Sequence, residues 1–201
     1  MSFKFSTPGL SSEIDSMVII NAINECRKRI DSGAANTALQ RWFGDTSMAW
    51  KKTAKQQLEQ MRRVINLQEI TIGVRDLDER NTGENAAALP GSATSIVPGA
   101  TQNYKGRQVL LNSAFNRLPR YLPMSNGITD TTGWNQSKFE TVIHELTHAI
   151  LSTDDEKLAN GNNAYGAQRA KDLAAENSAK AKNNAENWAI FIEACGKHRT
   201  S

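Results

Sequence analysis

The chain has 201 residues, 39% of them hydrophobic and 22% charged, with a formal net charge of +3. That size and balance suit one globular domain with its own core, and a charge so small, with acids interspersed among the bases, argues against a nucleic-acid partner. No apolar run approaches the roughly 20 residues that a membrane-spanning helix needs, so no membrane partner is expected.

Ile14, Val18, Ala22, Cys26 and Ile30 recur at helical spacing and predict an amphipathic helix over about residues 12–31. A Gly/Ala/Asn break follows. A second helix is expected from about Thr46 to Asn66, with Trp50, Ala54, Leu58, Met61 and Ile65 on one face and Asp45 or Thr46 as its cap. Residues 69–75 alternate polar and apolar side chains in the manner of a half-buried strand. Residues 76–106 are rich in Asn, Gly, Pro, Ala and Thr and interrupt any long element, with Ser95-Ile96-Val97 a short strand among them. Arg107 to Asn112 reads as another strand, and Leu118 to Gly133 as loop. A helix then occupies about 137–151, begun by Ser137 and Glu140 as an S-x-x-E capping box. Helices near 167–176 and 179–195 complete the chain, the last with Ala181, Ala185, Trp188, Ile192 and Cys195 facing inward. Helices with a small antiparallel or mixed sheet make the class α+β. The expected organisation is one domain, with residues 1–40 as an N-terminal helical part and 137–195 carrying the chemistry.

The chemistry begins at His144-Glu145-Leu146-Thr147-His148, an HExxH pentapeptide. On a helix, residues four apart lie one above the other, so both imidazoles can reach one metal ion. Zinc held by neutral side chains lowers the pKa of its bound water toward about 7, and the intervening glutamate can take the proton as that water attacks a carbonyl. Scarcity supports the reading: the chain has only three histidines, and the third, His198, lies in the polar tail. Phe139, Val142, Ile143, Leu146, Ala149 and Ile150 supply the apolar face of a buried helix around the motif. A catalytic zinc needs a third protein ligand. No histidine follows closely, which disfavours the metzincin pattern, and the acidic run Asp154-Asp155-Glu156 offers carboxylates instead.

Ser152-Thr153-Asp154-Asp155 followed by Tyr165-Gly166 resembles the Gly-Thr-x-Asp and Tyr-Gly motifs of the aspzincins, the deuterolysin and peptidyl-Lys metallopeptidase family, with serine in place of glycine. Arg41-Trp42-Phe43-Gly44 is similar to that family's Trp-Phe-Gly signature. Gln108 to Phe115 resembles the strand and Phe-containing segment ahead of its zinc helix, and Asn184-Ala185-Glu186-Asn187-Trp188-Ala189-Ile190-Phe191 resembles its last helix. The resemblance implies a zincin-like fold and an endopeptidase holding one zinc ion. It makes His144, His148 and Asp155 the ligands, Glu145 the base and then the acid, and Tyr165 the donor to the oxyanion. The stretch from Glu156 to Ala164 is longer than the family's spacer, so a register shift would exchange Asp155 for Asp154. In the lysine-specific branch two acidic positions on the last helix receive the substrate's ammonium group. Here they carry Glu186 and Ala189, which implies a preference for basic side chains without strict lysine specificity.

Two other classes share these residues: a zinc amidase acting on a non-protein amide such as a cell-wall peptide, and a non-catalytic domain stabilised by zinc. A protein or peptide substrate and a monomer are the expectation. Cys26 and Cys195 allow at most one bridge, and buried free thiols are the favoured reading. The N-terminus shows no charged start, apolar stretch and cleavage site of a signal peptide, so secretion or delivery as an effector is expected with either a mature or trimmed form of the chain here or a route that reads no such signal.

Overall fold

A computed structural model describes residues 4–5, 14–68, 70–74, 86–89, 107–111, 115, 117–122, 124–125, 128–129 and 136–196. Its elements run β1 (Lys4–Phe5), α1 (Ser16–Asp31), α2 (Asn36–Phe43), α3 (Met48–Leu67), β2 (Ile70–Val74), β3 (Ala86–Leu89), β4 (Arg107–Leu111), β5 (Met124–Ser125), β6 (Ile128–Thr129), α4 (Lys138–Leu151), α5 (Ala167–Glu176), α6 (Ser178–Asn183) and α7 (Ala185–Cys195). His198 and Ser95-Ile96-Val97 lie outside the described residues.

Local chemistry sets most helix starts. Asp15 caps α1, its side chain accepting from Met17 N at 3.0 Å. The cap of α3 is Ser47, accepting from Trp50 N at 3.2 Å, and not Asp45 or Thr46. Asp45 instead accepts from Ser47 N at 2.7 Å and pairs with Lys182 Nζ at 2.7 Å, tying the approach of α3 to α6. Its carboxyl is held down to about 2 by those bonds, that of Lys182 first. Helix α2 stands just beyond the Gly/Ala/Asn break and was not expected from the pattern. It is short, lacks a side-chain cap, and buries Leu39, Trp42 and Phe43. The expected helix over 179–195 is two helices, because Asn184 takes an extended backbone between α6 and α7.

The main sheet has the order β1-β2-β4-β3 and is mixed: β1, β2 and β4 run parallel, and β3 pairs with β4 in the opposite direction. Strand β3 falls in the stretch read as an interruption, and the two-residue hairpin strands β5 and β6 fall in the stretch read as loop. Helix α4 packs on α7, α3 and the β3–β4 side of the sheet, while α1 packs on α3 and α7. The HExxH helix is therefore central, and twelve of its residues from Lys138 to Ile150 are buried.

Aromatic packing fixes α7 beneath it. Phe43 lies 4.9 Å from Trp188, 5.1 Å from Trp50 and 5.2 Å from Phe191, centroid to centroid, in tilted and edge-on contacts. Cys26 and Cys195 are buried free thiols, and Cys26 donates to Ile192 O at 3.7 Å across the α1–α7 contact. Among the described residues no helix is long and apolar enough to cross a membrane.

The Trp-Phe-Gly segment has a structural explanation. Gly44 ends α2 in the left-handed region at φ 64°, and a Cβ there would stand 2.4 Å from the backbone oxygen of Ala174 on α5. Gly44→Ala is expected to destabilise the protein by more than about 2 kcal/mol, because the strained φ and a clash with backbone add. A lowered urea midpoint at unchanged slope would report it; an unaltered midpoint would mean that the α2–α5 junction yields freely.

Candidate metal centre

Ser137 caps α4: its Oγ accepts from Glu140 N at 2.9 Å and donates to Glu193 Oε2 at 2.8 Å. The reciprocal half of the expected capping box is not made. Glu140 is 1% exposed, and no donor reaches either of its oxygens. Its carboxyl stands beside Glu186 and 4.0 Å from His144 Nδ1. Burial and the neighbouring Glu186 carboxyl both push its pKa well up.

The two histidines of α4 bring their Nε2 atoms within 3.1 Å of each other, and Asp155 Oδ1 lies 3.1 Å from the first and 3.3 Å from the second. Each opposite ring nitrogen has an acceptor. His144 Nδ1–H donates to Glu186 Oε2 at 3.0 Å, and His148 Nδ1–H donates to Thr153 O at 2.6 Å. With the protons held at Nδ1, both Nε2 lone pairs face the same point as the carboxylate oxygen. This triangle fits zinc, because ligands about 2.0–2.1 Å from a tetrahedral ion lie roughly 3.3–3.4 Å apart. A second cluster among the described residues, Glu140, His144 and Glu186, is wholly buried and shares His144 with the first.

Why Asp155 and not its neighbour turns to the histidines follows from the backbone. Asp154 N donates to Asn183 O at 2.9 Å, Ala185 N donates to Asp154 O at 3.0 Å, and Asp154 Oδ2 accepts from Asn183 Nδ2 at 2.9 Å. Asp154 is thus bound to the α6–α7 junction. In extended chain the next side chain points the other way, toward α4. Ser152 makes the turn that sends the chain there: it caps α4 in the left-handed region at φ 57° and ψ 40°, its N–H on His148 O at 3.2 Å. Thr153 Oγ1 meets Thr147 Oγ1 at 2.9 Å, and Thr147 Oγ1 donates to His144 O at 2.8 Å.

The three groups of the triad shift one another's protonation. Burial disfavours an imidazolium at both histidines. For His144 the bonds to Asp155 and Glu186 outweigh it, and for His148 the bond to Asp155 does, so both rings hold protons more tightly than a free histidine. Partial burial of Asp155 opposes its charge, but the two imidazoles hold its carboxyl far below the usual range. A dication that replaces the protons meets the same lone pairs. Access is graded: the side chain of His144 is 10% exposed, that of His148 20% and that of Asp155 38%, so the triad opens to solvent on the Asp155 side.

Glu145 sits between the histidines on α4, 5% exposed. Tyr165 is half-buried with its ring centroid 6.0 Å from that of His144. Glu186 departs from the sequence expectation of a substrate-facing charge. It is 0% exposed, and beyond the bond to His144 its Oε1 accepts from Gly166 N at 2.6 Å. Ala189 is also fully buried, so the two positions that would receive an ammonium group face the protein interior.

Several supporting residues had no role in the sequence reading. Asn184 Oδ1 accepts from Glu156 N at 3.0 Å, and its Nδ2 donates to Asn187 Oδ1 at 2.6 Å. Asn187 Nδ2 in turn donates to Ala170 O at 2.8 Å and to Trp42 O. Both asparagines are buried, and their spacing of three along α7 was the available signal. Thr153 stood in the motif, but its carbonyl's hold on His148 is not visible in a side-chain pattern.

The left-handed cap at Ser152 predicts an unequal mutational response. Ser152→Gly is expected to be neutral or stabilising by up to about 1 kcal/mol, and Ser152→Val to destabilise by more than about 1 kcal/mol, since a β-branched side chain resists positive φ. Thermal unfolding ranks the two; equal midpoints would contradict the cap geometry.

Comparison with known proteins agrees with this geometry. A profile of the lysine-specific metallo-endopeptidases, the aspzincins, matches residues 29–193. Comparison with curated protein sequences returns no match. Among solved structures, a zinc peptidase from Grifola frondosa is similar at a TM-score of 0.53 and 19% identity, over 89% of this chain and 93% of that one, which is a likeness of fold. With the matched segment spanning most of the chain and holding every residue of the triad, the protein belongs to the aspzincin family of zinc metallo-endopeptidases.

Proposed function

We propose that the chain hydrolyses internal peptide bonds with one zinc ion held by His144 Nε2, His148 Nε2 and Asp155 Oδ1. The observation that carries this reading is the triangle of 3.1, 3.1 and 3.3 Å between those atoms, with both Nδ1 protons already engaged elsewhere. Bound there, zinc supplies Lewis acidity that makes a water nucleophilic at neutral pH and polarises the scissile carbonyl.

Glu145, the residue after His144 on α4, takes the proton of the attacking water and returns it to the leaving amine, acting as base and then acid. Tyr165, beside His144, donates its phenolic O–H to the oxyanion as the tetrahedral centre forms. A closed structural zinc site would have four protein ligands. Here, among the described residues, three converge and the Asp155 edge is open, which supports catalysis over a purely structural ion.

Substrate selection is read as broader than lysine. Glu186 turns both oxygens inward and Ala189 is buried, so neither offers a charge to a basic side chain. A cleavage-site survey on a peptide library, with wild type and Glu145→Gln in parallel, tests activity and preference together. The wild type is expected to cut without a dominant lysine position, and Glu145→Gln to retain zinc with hydrolysis reduced at least about 10³-fold. A fully active Glu145→Gln protein would remove Glu145 from its role, and a survey dominated by lysine would reverse the reading of specificity.

The adjacent aspartates give a separate test of the ligand set. Asp155→Asn is expected to weaken zinc retention against a chelator by at least about 10-fold, while Asp154→Asn, which alters only the contact with Asn183, leaves retention near wild type. The opposite ranking would move the ligand to Asp154.

A further inference from the structure

Glu186 reaches two functional segments with one carboxylate. Oε2 accepts from His144 Nδ1–H at 3.0 Å, and Oε1 accepts from the backbone N–H of Gly166 at 2.6 Å. Gly166 has φ 81° and ψ 157°, a conformation that a side chain would strain, and it is joined directly to Tyr165. The carboxylate is itself anchored. It stands in the first turn of α7, where backbone N–H groups favour negative charge, and Asn184 and Asn187 on either side hold that turn to the ligand loop and to α2. A buried carboxylate needs donors, and here one oxygen takes an imidazole N–H and the other a backbone N–H.

We propose that Glu186 is a positioning residue that couples the His144 ring to the Tyr165–Gly166 turn, so that the orientation of the metal-binding imidazole and the placement of the phenol are set by one group. The proposal rests on the reading of His144 as a ligand and of Tyr165 as the oxyanion donor. A glutamine in this place has a single acceptor oxygen. If that oxygen serves His144, the amide NH₂ faces the Gly166 N–H, donor against donor. If it serves Gly166, the NH₂ faces His144 Nδ1, which favours the other tautomer and takes the lone pair from Nε2. Either arrangement damages one of the two segments.

The experiment compares wild type, E186Q, H144A and Y165F, alone and as the E186Q/Y165F pair. Zinc affinity of each apoprotein is measured by chelator competition, and kcat and KM on a peptide substrate by steady-state assay. E186Q is expected to bind zinc about 10- to 100-fold more weakly than wild type. Y165F is expected to lower kcat in the wild-type background and to have a smaller additional effect in E186Q, because the phenol is already displaced.

Wild-type zinc affinity in a folded E186Q protein overturns the His144 half, and fully additive kcat losses overturn the Gly166 half. Failure of the underlying reading looks different: H144A would then bind zinc as wild type does, whereas failure of this proposal alone leaves H144A without zinc and E186Q with it. Should E186Q not fold, the wild-type zinc protein decides. A slowly exchanging, downfield imidazole Nδ1–H proton missing only from H144A is expected in its proton spectrum, and the lack of such a signal overturns the hydrogen bond on which the proposal stands.

Discussion

The short backbone pairing between Asp154 and the α6–α7 junction is the constraint on which the site depends. It accounts for two features at once. On one side it breaks what would otherwise be a continuous helix, because Asn184 must be extended for Ala185 N to reach Asp154 O. On the other it pins the chain one residue before Asp155, so that alternation alone sends that carboxylate to the two imidazoles. Helix α7 then begins at the break with Glu186 in its first turn, directly under His144. The position of Asp155 and the support of His144 thus come from a single junction.

Much of this was legible in the sequence, for physical reasons. The inward faces of α1, α3 and α7 follow apolar spacing, because a helix against a core has to place such residues there. HExxH was legible because scarce histidines at one helical turn have few other uses. What escaped was set by contacts remote in sequence. Helix α2 is short and capped by no side chain, and it is held by Trp42 and Phe43 packing on α5 and α7. The α6–α7 break depends on a partner about thirty residues upstream. Strand β3 consists of Ala86-Ala87-Ala88-Leu89, whose composition favours helix as much as strand until β4 pairs with it.

Glu186 shows most clearly what burial adds to a motif position. By motif position it was a charge available to a substrate, and nothing in its neighbours in sequence says otherwise. A carboxylate with no exposure must be met by donors, and those present are the His144 imidazole and the backbone N–H of Gly166. The same logic explains Glu140. It is as deeply buried but meets no donor among the described residues, and burial beside the Glu186 carboxyl pushes its pKa well up.

This arrangement links specificity to metal binding. In a site where acidic side chains near the zinc helix face the substrate, they select a cationic residue; where they face the ligands, they hold the imidazoles in the tautomer that the ion requires. Both Glu186 oxygens are engaged, with His144 and Gly166, and the carboxylate is fully buried, so in this arrangement it presents no exposed oxygen to a substrate ammonium. A variant that turned Glu186 toward substrate would have to find another acceptor for His144 Nδ1–H, and the other carboxyl nearby, Glu140 at 4.0 Å, is one whose charged form is disfavoured by burial and by the Glu186 carboxyl beside it. Any change in how Glu186 is used at this site therefore also changes what holds the His144 ring.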